Sequence, residues 1–306
     1  MVCFQRNFNI NPSFNMQQAD TIQRFIFDQK DIRGEVVHLN KSYQEAVDGH
    51  DYPPIIRSLM ADALVSVTLL SATLKFKGRL SIQLQGGDII SLLLVQITHD
   101  QKIRATIKWD GETENKTLLE LIKNANLVIT IEPEEGKRYQ GIVPLEGDRF
   151  NQFIEKYFEQ SEQLPTRIWL ASNQQHAAGL LLQRLPEKEN QDRSKAEHWE
   201  HFTILTDTLK NTELLNLPNN DLLYRLYHGE TVKIFDEQAV QYVCGCSKEK
   251  CENAIISLGS QEIEAIKQEE EFIEIKCDFC NNTYRFDIVD LSRLEKISAE
   301  KFQEHS

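Results

Sequence analysis

Residues 244–280 read CGCSKEKCENAIISLGSQEIEAIKQEEEFIEIKCDFC, and four of the six cysteines of the chain form two close pairs at the ends of this stretch, Cys244-Gly-Cys246 and Cys277-Asp-Phe-Cys280. A tetrahedral zinc ion with Zn–S bonds near 2.3 Å holds its sulfurs about 3.8 Å apart. Close pairs reach that separation with little chain. In an extended segment residues two apart share a face, so Cys244 and Cys246 converge with only Gly245 between them. Asp278 and Phe279 form a turn that brings the second pair to one point. The thirty residues between Cys246 and Cys277 leave room for a small helical excursion, with Glu269–Glu271 as a solvated loop before the return. The spacing reads as a thiolate site for one zinc ion, against the alternative of a structural disulfide or inert thiols.

On the N-terminal side of this module, Trp199, Phe202, Leu205 and Leu209 repeat at helical spacing, and a second helical pattern surrounds Leu222, Leu223 and Leu226. These helices have too few apolar positions for a core of their own. They are expected to pack on an N-terminal sheet and to sit at the low end of local stability. Residues 187–195 before them carry no apolar side chain and read as an exposed connection. The expected organisation is an α+β chain: an N-terminal mixed-sheet domain over 1–186, a helical linker over 187–243 and a small C-terminal zinc-binding domain over 244–306.

Within the first domain, residues 1–20 read as an irregular arm, and Thr21–Phe27 and Glu35–Leu39 as strands. Residues 53–74 place Ile56, Leu59, Met60, Ala63, Leu64 and Val67 on a helix that is apolar nearly all round, the mark of burial in a packed domain. The period then changes to two. Leu80, Ile82 and Leu84 alternate with polar residues, Ile89–Ile97 is an apolar run, and Ile103, Ala105, Ile107 and Trp109 alternate up to the turn Asp110-Gly111. A helix over Lys116–Asn124, strands near Leu127–Ile131 and Tyr139–Leu145, a helix marked by Phe150, Phe153, Ile154, Tyr157 and Phe158, and strands at Arg167–Ala171 and Gly179–Leu185 complete the domain.

The chain has 306 residues, 41% of them hydrophobic, and a net charge of −13 from 34 basic and 47 acidic side chains. That sign argues against a nucleic-acid partner. The argument also holds locally, since residues 244–306 carry eight Lys and Arg against fourteen Asp and Glu. No uninterrupted apolar run reaches the ~18 residues of a membrane span, and the N-terminus lacks the layout of a signal peptide. A cytoplasmic location is therefore expected. Reducing compartments disfavour stable disulfides, which favours metal for the paired thiols. Cys251 reads as a partly buried thiol at the start of a short helix, Cys3 as incidental, and His228 as a surface or structural residue. Gly86-Gly87 lacks the Gly-Lys-Ser/Thr of a phosphate loop, Glu134-Glu135 is too generic for a catalytic pair, and no Ser/His/Asp set suggests catalysis.

The two cysteine pairs, the segment from Ser247 to Gly259 between them and Leu226-Tyr-His-Gly-Glu before them resemble the thirty-three-kilodalton redox-regulated heat-shock chaperone family. Ala72-Thr-Leu-Lys-Phe-Lys-Gly, Gln83-Leu-Gln-Gly, Glu135-Gly-Lys-Arg-Tyr-Gln-Gly-Ile-Val-Pro-Leu-Glu-Gly and Ser161-Glu-Gln-Leu-Pro-Thr-Arg are similar to segments of that family, so the likeness runs from about residue 20 to 290. The resemblance implies a non-enzymatic, ATP-independent holdase that is inactive when reduced and zinc-bound. It implies that Cys244, Cys246, Cys277 and Cys280 are zinc thiolates. On oxidation it implies disulfides joining Cys244 to Cys246 and Cys277 to Cys280, zinc release, and unfolding of the C-terminal region. The partners implied are unfolding client proteins, with a homodimer as the active form. Trp199, Phe202 and Leu205 are the candidate client-binding residues from the linker pattern. Two further classes stay open from the residues themselves: a thiol-disulfide oxidoreductase and a zinc-ribbon nucleic-acid binder.

Overall fold

The computed structural model describes residues 2–3, 19–28, 30–74, 77–186 and 194–303. It divides into two compact units, Met1–Val243 and Cys244–Ser306. The first unit starts with β1 (Val2–Cys3), β2 (Thr21–Phe27), β3 (Ile32–Leu39), α1 (Lys41–Val47) and α2 (Pro54–Thr73). Residues 4–18 of the expected arm, and 187–193 of the expected exposed connection, lie outside the described residues. Next come β4 (Gly78–Gln85), β5 (Ile90–Thr98), β6 (Lys102–Trp109), α3 (Leu118–Leu121), β7 (Asn126–Pro133) and β8 (Tyr139–Val143). The helix expected over 116–124 shrinks to one turn, α3, opened by a capping box in which Thr117 and Glu120 bond each other's backbone. Then follow α4 (Phe150–Tyr157) with a π-turn over Phe158–Glu162, β9 (Thr166–Ser172), β10 (Ala177–Arg184), α5 (Ser194–Asp207), α6 (Asn211–Asn216), α7 (Asn219–Tyr227), β11 (Val232–Ile234), β12 (Gln238–Ala239) and β13 (Gln241–Tyr242).

Two sheets result. The first is antiparallel, in the order β1-β11-β2-β3-β10-β9, with β12 also on β2. The second, β13-β6-β5-β4-β7-β8, is antiparallel except for the parallel β13–β6 pair. Helix α2 packs on strands of both sheets, which explains why its apolar residues surround it. It is long and apolar enough to cross a membrane by length and composition alone, yet most of it is buried inside the protein. A bulge between Ile90 and Leu92 in β5 switches the inward-facing parity. Ile90 before it and Leu93, Val95 and Ile97 after it can therefore all point into the core.

The first sheet is buried on both faces. Ile22, Val37, Leu39, Ala177 and Leu181 join the core around α2, while Phe25, Phe27, Ile32, Val36, Leu180 and Leu182 on the opposite face join a second core with α5, α6 and α7. A side chain at Gly34 would clash with the Phe25 ring opposite it, its Cβ falling 2.0 Å from Phe25 Cζ. Only glycine leaves room for that ring to lie across the strand. Phe202 of α5 packs on Phe27 with ring centroids 3.9 Å apart, and Tyr227 of α7 meets Phe27 edge-on at 4.9 Å. The Tyr227 hydroxyl shares a 2.6 Å hydrogen bond with Thr206, which itself donates to the Phe202 carbonyl. The linker helices thus acquire a core only by covering the sheet.

A polar contact also joins linker to sheet: His38 Nε2 of β3 lies 2.7 Å from the Leu214 carbonyl of α6, buried. Nε2 therefore carries the proton and donates. Burial lowers the pKa of His38, against the raising effect of its bonds to Leu214 and Asn219. A histidine with a depressed folded pKa takes up protons first in the unfolded chain, so its effect is absent well above 6.5 and destabilisation grows as pH falls below that value. Glu35 and Asp62, both raised to about 7 by burial, act oppositely and lose stability as pH rises from 4.5 (Glu35) or 3.8 (Asp62) toward 7. The difference between the native protein and His38→Gln isolates the histidine. Denaturant titrations should show the native protein losing up to about 1.4 kcal/mol per pH unit relative to the variant below pH 6.5. Parallel stability curves for the two proteins would refute this role.

Candidate metal centre

The second unit contains α8 (Lys248–Ile256), α9 (Ser260–Glu269), β14 (Phe272–Lys276), β15 (Thr283–Asp287) and α10 (Ile288–Gln303). Ser247 caps α8 by accepting from the Lys250 amide. Strands β14 and β15 form a hairpin. The buried apolar core of the unit is small: Ile255, Ile256, Ile263, Phe286, Leu291 and Leu294. A unit of about sixty residues with so little core is of the size that ordinarily needs a metal or disulfide staple.

The cysteines offer such a staple. The Cys244 and Cys277 sulfurs are 3.4 Å apart, as are those of Cys246 and Cys280, and the four sulfurs lie within 4.8 Å of one another. Those separations bracket the ~3.8 Å of a tetrahedral thiolate site, and four soft sulfur donors suit zinc chemically. The site can hold a metal ion. Gly245 has φ +68°, so the first pair converges through a left-handed turn and not through the extended segment expected from its spacing. Lys250 donates its ammonium to the Gly245 carbonyl and braces that turn. The second pair sits at the hairpin tip, where the Cys277 amide donates to Asn282 and the Asn281 amide to Cys277, each at 2.9 Å. Asn281 takes the left-handed conformation there, φ 58°. The turn through Asp278 and Phe279 and the helical excursion both match the reading of the spacing.

Burial raises the Cys244 thiol. Desolvation acts the same way on Cys246, but hydrogen bonds from Tyr284 and Cys280 outweigh it and bring Cys246 down to about 7. A thiol so placed ionises readily, the condition for both metal binding and redox reactivity. Cys251 lies in the first turn of α8 and packs against the unit's core; burial raises it, with the charges of Cys246 and Cys277 adding to the shift. His228 caps α7 and is exposed, its ring against Tyr224. Glu269–Glu271 are exposed; Glu269 closes α9, so the loop expected over all three is only Glu270 and Glu271.

Of the candidate client-binding residues, Phe202 is fully buried and Trp199 and Leu205 are half-buried in the same linker–sheet cluster. The sequence reading missed their counterparts on the sheet, Phe25, Phe27, Leu180 and Leu182. A signal existed: Ala177-Ala-Gly-Leu-Leu-Leu182 is a continuous apolar run, the pattern of a strand buried on both faces. It also missed Tyr284, whose hydroxyl lies 3.1 Å from the Cys246 sulfur; nothing in the spacing announces that contact.

A family model described as Hsp33 protein matches residues 20–287. The chain is 42% identical to a 33 kDa chaperonin of Vibrio vulnificus strain YJ016 over 288 residues, covering 92% of this chain and 98% of that one. It is also 42% identical to a 33 kDa chaperonin of Shewanella sp. strain W3-18-1 over 276 residues, covering 90% and 95%. In three dimensions it is similar to the crystal structure of the 33 kDa chaperonin (heat shock protein 33 homolog) of Thermotoga maritima. The TM-score is 0.77 at 22% identity, covering 92% of this chain and 99% of that chain. That likeness establishes the shared fold.

Proposed function

Because the chain belongs to the Hsp33 family, and is with it a heat-shock chaperone, we propose that its four clustered cysteines bind one zinc ion and form the redox switch of an ATP-independent holdase. The observation that carries this reading is the convergence of four sulfurs in a unit with a small core of its own. Zinc on four thiolates supplies roughly 10–16 kcal/mol of folding energy in comparable modules. Cys244, Cys246, Cys277 and Cys280 hold it only as thiolates. When a peroxide oxidises a pair, two sulfurs give up two electrons and join in one S–S bond, and the peroxide takes two protons and leaves as two waters. Donors consumed in this way no longer support the site.

The family resemblance implies the pairing, and chain length supports it. Once the unit opens, sulfurs separated by one or two residues stay within reach, whereas Cys244 and Cys277 drift apart, which favours the implied bonds of Cys244 with Cys246 and of Cys277 with Cys280. The domain boundaries belong to the same reading: a core over 1–186, a linker over 187–243 and a switch over 244–306. Strand β13 ends at Tyr242, two residues before Cys244. Unfolding of the switch leaves the end of the linker joined to an unfolded chain, and its marginal helices peel from the sheet. Phe25, Phe27, Leu180 and Leu182 are then exposed together with Trp199, Phe202 and Leu205, an apolar surface of the kind that captures unfolding chains. Two copies sharing such surfaces would account for an active homodimer. A reducing cytoplasm keeps the thiols ready, the acidic surface disfavours nucleic acid, and a binding surface of this kind requires no catalytic residue.

The test is to treat the reduced, zinc-loaded protein with peroxide at raised temperature. Released zinc, free thiols and aggregation of an unfolding client without ATP are then followed together. One zinc and four thiols should be lost as aggregation is suppressed. Equal suppression before and after oxidation would rule out the switch.

A further inference from the structure

The geometry points to Tyr284 as a positioning residue of the metal centre, holding the Cys246 sulfur through an O–H···S hydrogen bond; this rests on the reading of Cys246 as a zinc thiolate. Tyr284 lies on β15, directly opposite Ile275 of β14, and its ring packs partly buried against the core of the unit. The hairpin thus fixes the phenol on the strand that leaves the Cys277–Cys280 tip, while its hydroxyl reaches across to the other cysteine pair, 3.1 Å from Cys246 Sγ. Among the described residues the hydroxyl has no other hydrogen-bond partner. A thiolate accepts only, so the phenol must donate.

The contact has two consequences. A donor on a ligand sulfur takes up part of its negative charge, which matters where four thiolates surround a single divalent ion, and hydrogen bonds to ionised groups are roughly twice as strong as neutral ones. It also occupies a sulfur lone pair. The same pair would attack a peroxide, so Tyr284 protects Cys246 in the reduced state. Because it bonds a sulfur from the pair it does not neighbour in sequence, Tyr284 ties the two pairs together independently of the metal. Partners of this kind typically alter metal affinity by about 10–100-fold when removed.

Tyr284→Phe keeps the ring and deletes the donor. Full-length protein, reduced and freed of metal, is titrated with Co2+, whose thiolate charge-transfer band reports on the sulfurs directly. Native protein should bind one equivalent. Tyr284→Phe should bind about 10-fold or more weakly, with the band moved to longer wavelength because the freed sulfur donates charge more easily, and its zinc-loaded form should release metal to peroxide faster. Ile275→Val, which trims the residue paired with Tyr284, should change neither band nor affinity. If Tyr284→Phe matches the native protein in both, the assignment falls and the metal reading stands. If native protein develops no thiolate band, both fall. If Ile275→Val shifts the band as far as Tyr284→Phe does, the effect is one of packing and the assignment falls.

Discussion

Replacing both Cys277 and Cys280 by serine should abolish zinc binding and unfold the C-terminal unit. Two of the four donors are lost, and serine hydroxyls do not substitute for thiolates around a soft-ligand site. The metal contribution at stake, roughly 10–16 kcal/mol, is as large as the whole stability of a typical domain, about 5–15 kcal/mol. A core centred on Ile255, Ile256, Ile263, Phe286, Leu291 and Leu294 does not replace it. Circular dichroism should show loss of the helical signal of α8, α9 and α10, and metal analysis should find no bound zinc. The variant should also suppress client aggregation without any oxidant, since its switch is permanently open. Stoichiometric zinc in the double variant would refute the ligand assignment outright.

Phe202→Ala should open the linker while leaving the metal centre intact. Its ring is fully buried against Phe27 and Tyr227, and truncating a buried phenylalanine costs about 3–5 kcal/mol. That loss falls on a segment whose helices are short and whose core exists only through contact with the sheet. Local opening of α5, α6 and α7 is therefore expected ahead of global unfolding. Hydrogen exchange should speed up in Ser194–Tyr227 with α2 still protected, a hydrophobic dye should bind the reduced protein, and zinc content should stay at one per chain. Unchanged exchange in the linker together with unchanged dye binding would show that these helices are not a removable cover. The two variants separate the halves of the proposed switch: the cysteine pair acts on the C-terminal unit, and Phe202 acts on the linker itself.

Much of this was legible from local pattern. Leu80, Ile82 and Leu84 alternate because a strand has one face in the core, and the all-round apolarity of 53–74 follows from a helix touching two sheets. The cysteine spacing pointed to a candidate metal site because ligand separation is set by coordination geometry and the chain between close pairs is short. The limits were local too. Residues 116–124 have helical composition, but the chain must return at once to β7, and a single capped turn is all that forms. The left-handed turn at Gly245 was hidden because a glycine between two cysteines is equally compatible with an extended segment.

By itself the sequence indicated the longer strands and helices of the first domain, that the C-terminal cysteine pairs form a candidate metal site, and the family to which the chain is similar, since each rests on spacing within a few residues or on motifs read in order. Only the tertiary structure decided that α5, α6 and α7 lie on the outer face of the first sheet, that Phe202 stacks on Phe27, and that Tyr284 reaches Cys246 across thirty-eight positions. Those contacts join residues far apart in the chain. Which distant apolar faces and polar groups meet is settled by the packing of the whole unit, where each side chain competes for the same buried space.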